Sequence, residues 1–300
     1  MDIIQEKYNT QWFKDRAFRH LKKIEDGVWD LSDSLLLYTS SGPEIYEELQ
    51  ETNSPYFNLV TKPERDYLVL IAKNIADILP DNFEYIDLGP GTEHKEQFLF
   101  DELKKKNRRF VYTPVDISDQ YLDLAESHAR NQGIEVKKIK SSFEELPDLI
   151  GKQNIPRFVS IGLTFSNYYP QEILGLLRKI AGDGGYIFIN SQIRDRVDMD
   201  ELQKVYQNDA EHLADEKVKF IGLNPDTDIS PRLADQGFHV WTTILKNNEA
   251  LEKVGVRVGD KIMVFQSLRY TKESLENELK NLNHQIFDVG SSFIASIIKT

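Results

Sequence analysis

The 300-residue sequence contains no cysteine. That excludes disulfides, thiolate metal sites, a cysteine nucleophile and a thiol redox switch. No apolar run approaches the roughly 20 residues of a membrane span. The opening Met1-Asp2-Ile3-Ile4-Gln5-Glu6-Lys7 lacks the basic-then-apolar form of a signal peptide, so a cytoplasmic chain without membrane contact is expected. Positive charge is scarce: 37 Lys and Arg against 49 Asp and Glu give a formal charge of −12. Nucleic acid, whose phosphates reward a basic surface, is therefore not an expected partner. The one basic run, Lys104-Lys105-Lys106-Asn107-Arg108-Arg109, falls where a helix should end, and cations there complement the helix dipole.

What remains is a globular composition, 40% apolar and 29% charged, in a chain long enough to bury a core without staples. Residues 11–50 read as mainly helical, with Trp12, Phe13, Phe18, Leu21 and Ile24 on one apolar face and a turn at Thr39–Pro43. An ordered loop is expected over Asn53–Pro63 and a helix over Glu64–Leu79. From there the pattern alternates. Strands are predicted at Tyr85–Leu88, Phe110–Val115, Val136–Ile139, Phe158–Ile161 and Tyr186–Asn190, with helices at Glu93–Lys106, Ser118–Asn131 and Pro170–Ala181. Such alternation predicts an α/β fold with a parallel sheet covered on both faces. Residues 191–260 break the alternation with a helix over Met199–Leu213 and a strand over Phe238–Leu245. Lys261–Tyr270, Thr271–Leu282 and Phe293–Ile298 then read as strand, helix and strand, closing the sheet with antiparallel strands.

The chemistry concentrates at Glu84-Tyr85-Ile86-Asp87-Leu88-Gly89-Pro90-Gly91-Thr92. A strand that turns on glycines into a helix presents backbone N–H groups and a helix N-terminus to a nucleotide-like ligand. Gly91 is followed by Thr92-Glu93-His94-Lys95, so the Gly-Lys-Ser/Thr of a phosphate loop is missing. The third glycine of a dinucleotide fingerprint is replaced by His94. Asp87, just before Gly89 and Gly91, suits a cofactor whose amino-acid tail carries a cationic amine. Asp116, closing the second strand, suits two ribose hydroxyls. Together they point to S-adenosylmethionine. Each also has a local alternative, since Asp87 could cap the turn and Asp116 the next helix. Asn167 follows the fourth strand, beyond whose carboxyl end ligands bind. Its amide could hold a neutral amine, or cap the helix starting near Pro170. The six histidines form no expected metal-ligand set, and His94 reads as solvent-facing on its helix.

Several further segments carry a resemblance. Tyr38-Thr39-Ser40-Ser41-Gly42-Pro43-Glu44-Ile45-Tyr46, Pro55-Tyr56-Phe57 with Thr61-Lys62-Pro63-Glu64, Asp87–Thr92 with Lys95, Pro114–Ser118, Ile161–Asn167 and Ser267-Leu268-Arg269-Tyr270 occur in order. Over most of residues 30–300 the chain resembles the histidine Nα-methyltransferases of ergothioneine biosynthesis. The resemblance implies a class I methyltransferase (Rossmann-like) sheet with a second α+β substrate-binding domain. It implies a substrate domain begun by residues 1–62, a cofactor core over 63–190, an insertion over 191–260 that completes the substrate domain, and core-completing strands over 261–300.

It also implies cofactor contacts at Tyr56, Gly89, Lys95 and Asp116, with Ser142 and Phe143 near adenine and Ser142 standing where the family has aspartate. For an amino-acid acceptor it implies Tyr38 and Tyr206 at the carboxylate and Asn167 at the α-amine. The family reads imidazole with a Glu-x-Ser pair, and here that place holds Phe265-Gln266-Ser267. Losing a charged hydrogen bond of roughly 1.5–3 kcal/mol in favour of a ring turns the site toward an apolar or aromatic side chain. The expected activity is N-methylation of an amino acid other than histidine, or of a related small amine, by a monomer. Asn167 would orient the amine and Tyr56 would face the sulfonium. An O- or C-methyltransferase and a non-catalytic cofactor binder are the alternatives.

Overall fold

In the computed structural model, the described residues are 7–38, 42–152, 154–208, 217–219, 221–222, 229–234, 236–246 and 249–300. The chain forms two compact units, one from residues 1–57 and 198–268, the other from 58–197 and 269–300.

The second unit holds an eight-stranded sheet. Its strands run in the order His284–Phe287, Phe293–Lys299, Tyr186–Gln192, Arg157–Gly162, Asn82–Leu88, Arg109–Asp116 and Glu135–Val136, with Ile139–Lys140 also on Arg109–Asp116. The strands from Tyr186–Gln192 onward are parallel, and the two C-terminal strands are antiparallel. From Asn82–Leu88 the chain steps to one side, then returns to Arg157–Gly162 on the other. The carboxyl end of Asn82–Leu88 is thus the switch point where such sheets bind ligands. Phe83, Ile86, Tyr112, Val159 and Ile187 are fully buried, because helices such as Lys62–Ile78, Asp119–Asn131 and Pro170–Ala181 cover the sheet.

The first unit holds a five-stranded sheet in the order Lys22–Glu25, Val28–Asp30, Lys261–Leu268, Gly237–Thr243 and Ile229–Ala234. All its pairings are antiparallel except Val28–Asp30 with Lys261–Leu268. Lys261–Leu268 was expected to complete the core sheet, and it pairs here instead. Its apolar residues are buried, a pattern that suits the middle of either sheet.

Other expectations shift locally. The first helix stops at His20, and a hairpin follows, turning at Gly27 with φ +71°. Ile24 is exposed on that hairpin. The expected loop before Pro63 is a π-helical turn, Phe57–Thr61, running into Lys62–Ile78. Among the described residues, no helix is long and apolar enough to cross a membrane.

Candidate functional site

The glycine turn takes the backbone path that glycine permits. Gly89 and Gly91 have φ of +69° and +64°, and the Gly89 N–H donates to the Val115 carbonyl at 2.9 Å. A side chain at Gly89 would begin 3.6 Å from Phe143 Cζ and 3.7 Å from Thr164 Oγ1. The turn, the Phe143 ring and Thr164, just past the fourth parallel strand, therefore meet at one place.

Asp87 accepts a hydrogen bond from the Tyr112 hydroxyl at 2.8 Å. Burial, reinforced by the charge of Glu96, pushes its carboxyl up to about 7. Asp116 is also pushed up to about 7 by burial, against hydrogen bonds from the Ser118 and Ile117 N–H groups. Ser118 supplies the cap of the following helix by accepting from Tyr121 N. Asp116 instead braces the turn before it, with Oδ1 2.8 Å from Ser118 N. Ser142 and Phe143 are both buried, on the segment whose Ser141 N–H donates to the Asp116 carbonyl at 3.0 Å.

Lys95 sits between carboxylates. Its ammonium lies 2.9 Å from Glu64 Oε2 and 3.8 Å from Glu93 Oε2. Burial alone would push the ammonium down, but Glu64 and Glu93 reverse this and hold it above the ordinary lysine value. The other Glu64 oxygen accepts from Asn190 Nδ2 at 2.8 Å. Asn190 Oδ1 is buried without a hydrogen-bond partner among the described residues, 3.8 Å from where a side chain would start at Gly162. Asp87, Asp116, Glu64 and Glu93 are all at most 9% exposed, and among the described residues Lys95 is the cation paired with Glu64 and Glu93. A cluster with surplus buried carboxylate and an unpartnered acceptor among the described residues fits a ligand bearing a sulfonium and an ammonium.

Asn167 closes the 3-10 turn Leu163–Asn167 and is half-buried. The helix after it has its N-cap at Tyr169, two residues beyond Asn167, with no side-chain cap hydrogen bond there. His94 departs from its expected position on the helix. That helix begins at Gln97, and His94 precedes it in a left-handed conformation with φ +49°. Its ring stacks on His128 at 4.0 Å, so it faces protein and not only solvent. The strand-to-helix connection is longer than expected, and it places a left-handed residue at the position of the fingerprint's third glycine.

Asn167 belongs to the unit of the glycine turn, and the acceptor candidates Tyr206, Phe265 and Ser267 meet in the other unit. Across the paired strands, Phe238 lies opposite Ser267 and Val240 opposite Phe265, which puts these four on one sheet face. The helix Met199–Asn208 lays Tyr206 over that face. Its hydroxyl is 2.9 Å from Ser267 Oγ. Its ring stacks on Phe238 at 4.9 Å and tilts against Phe265 at 6.2 Å. Tyr56 meets it edge-on at 6.3 Å. Tyr38 ends the turn Ser34–Tyr38, and its side chain lies outside the described residues. Sequence reasoning assigned no role to Glu64, Asn190, Tyr112, Phe238 or His128. Glu64 alone carried a signal, as the acidic end of Thr61-Lys62-Pro63-Glu64.

The sequence profile of a family described as histidine-specific, S-adenosylmethionine-dependent methyltransferase matches residues 15–215. The N-methyltransferase dtpB of Aspergillus flavus is 26% identical over 136 residues, and the match spans 43% of this chain and 37% of that protein. Among solved structures, an S-adenosylmethionine-dependent methyltransferase from Clostridium acetobutylicum has a TM-score of 0.43 at 15% identity, covering 85% of this chain and 98% of its own. Another, from Aquifex aeolicus, has a TM-score of 0.43 at 11% identity, covering 86% and 97%. The profile match spans two thirds of the sequence, and the chain belongs to this family of methyltransferases, with S-adenosylmethionine as its cofactor.

Proposed function

We propose that the chain transfers a methyl group to the α-amine of an amino acid other than histidine, or to a related small amine. It acts as a cytoplasmic monomer on a free small molecule, without nucleic acid or membrane. S-adenosylmethionine supplies, when bound, a methyl already activated on a sulfonium.

The chain's own residues then have two tasks, to hold the cofactor and to align a neutral amine. Gly89 and Gly91 offer close backbone approach, and Asp87 with Glu64 and Glu93 provides negative charge for a cationic tail. Asp116 serves the ribose, and Phe143 packs an apolar surface against the turn. Asn167 offers an amide oxygen to an amine N–H, leaving the nitrogen lone pair unprotonated and directed. No dedicated general base is needed when the amine binds neutral.

One observation carries the choice of acceptor. Phe265 packs beside the Tyr206 ring while Ser267 holds the Tyr206 hydroxyl. The hydroxyl partner is kept, and the residue in the place of an imidazole-reading carboxylate is apolar. The N-methyltransferase relative supports nitrogen as the methylated atom.

Incubation with methyl-labelled cofactor and a panel of free amino acids tests the reading. Label on the α-nitrogen of an acceptor with an apolar or aromatic side chain is expected. Absence of label on every α-amine would contradict it, and mass analysis showing methyl on oxygen or carbon would favour the second reading, an O- or C-methyltransferase.

A further inference from the structure

We propose that His94, Glu96 and His128 form a site for one divalent transition-metal ion of the zinc type. Each offers one ligand atom, and the three atoms lie within 4.8 Å of one another. The Glu96 side chain is 3% exposed, and its Oε1 has no hydrogen-bond partner among the described residues. An unpartnered buried carboxylate oxygen is costly. His94 Nδ1 lies 3.6 Å from that oxygen, too far for a hydrogen bond. It is close to the separation of two donors held about 2.0–2.2 Å from one tetrahedral zinc, roughly 3.3–3.6 Å.

Local backbone and chemistry agree with this. His94 occupies the left-handed region at φ +49°, a conformation that is unfavourable for a non-glycine residue and is retained where the surroundings use it. Two imidazoles and a carboxylate select zinc, nickel or copper over magnesium or calcium. Three protein ligands leave one position for water. The His94 and His128 rings lie parallel, 9° apart at 4.0 Å, so they must splay for one ion to lie in the plane of both.

Gln132 sets the tautomer of His128. Its Oε1 accepts from Lys104 Nζ at 2.9 Å, so its amide nitrogen, 2.8 Å from His128 Nε2, donates. Nε2 therefore presents a lone pair, which the ion would take by displacing one amide donor. The ion would tie the segment after the Gly89–Gly91 turn to the helix after Asp116. Those two segments flank the cofactor residues of this unit.

The test uses the full chain, freed of any histidine tag and stripped with chelator. Calorimetric titration with zinc chloride is expected to give one equivalent of binding. His94→Asn, which tolerates the left-handed backbone, and His128→Gln should each weaken it by roughly tenfold or more. Cobalt should give a visible absorption band that both variants lose. Thermal melting in chelator and binding of S-adenosylhomocysteine report folding, and the isosteric Glu96→Gln replaces any variant that fails them. No zinc heat in the wild type, or zinc heat kept in full by the folded variants, overturns the proposal.

Discussion

The two units bury different materials, charge in one and rings in the other. The unit of residues 58–197 and 269–300 buries carboxylates around a glycine turn and balances them with Lys95. The unit of residues 1–57 and 198–268 packs Tyr56, Tyr206, Phe238 and Phe265 together, with one hydroxyl pair at Tyr206 and Ser267. Its buried charges are fewer: an Arg16–Asp33 ion pair, and Lys217, which burial pushes down to about 7, with its amine 2.6 Å from the Val264 carbonyl. Under the proposed function, the first holds a cationic cofactor with fixed negative charge and the second reads a side chain by shape and one or two polar atoms. The first should therefore be sensitive to pH and ion-pair loss, the second to ring substitution.

The largest expected effect is on the ion network. Glu64→Ala removes the near partner of Lys95 and the acceptor of Asn190 together. Breaking one side of a buried pair costs about 3–5 kcal/mol. Denaturant unfolding should register a loss of that order, and a loss below 1 kcal/mol would mean that Glu93 alone satisfies Lys95.

Next comes pH. Asp87 and Asp116 carry carboxyls raised to about 7 from an ordinary 3.8. The folded, ligand-free chain keeps protons there that the unfolded chain releases near pH 4. These two groups therefore make stability fall as pH rises from about 4 to about 7. Cofactor affinity should move the other way, rising through pH 7 as the carboxylates ionise toward a cationic ligand. Calorimetry with S-adenosylmethionine from about pH 6 to about pH 8 measures this, and Asp87→Asn should flatten the curve.

The smallest effect belongs to the aromatic unit. Tyr206→Phe removes one hydrogen bond to Ser267, worth about 1 kcal/mol, while keeping the ring stack on Phe238. Unfolding should show that loss with S-adenosylhomocysteine affinity unchanged. A fall in cofactor affinity would break the division between the units.

The legible parts of the sequence were those with local causes. Gly89, Gly91 and Asp87 declare a turn because the backbone there demands glycine and the preceding strand is apolar. The parallel strands announced themselves by alternation with helices, and the cofactor followed from the absent third glycine and the two aspartates. What was hidden depends on distant partners. Glu64 meets Lys95 across 31 residues and Asn190 across 126, and Tyr206 meets Ser267 across 61. The strand Lys261–Leu268 looks the same whichever sheet receives it, so its assignment to the core followed chain order and failed. The hairpin around Gly27 did carry a signal, Asp26-Gly27 between two short runs. The helical spacing of Trp12 to Ile24 masked it.

The most direct measurement is a one-tube competition between histidine and phenylalanine for labelled methyl, run with the wild type and with Phe265→Glu, each first shown to bind S-adenosylhomocysteine. The wild type should label phenylalanine over histidine, and Phe265→Glu should move the ratio toward histidine by roughly tenfold or more, the worth of a charged hydrogen bond. A wild type that prefers histidine, or a ratio that Phe265→Glu leaves unchanged, would contradict the assignment of acceptor choice to this residue.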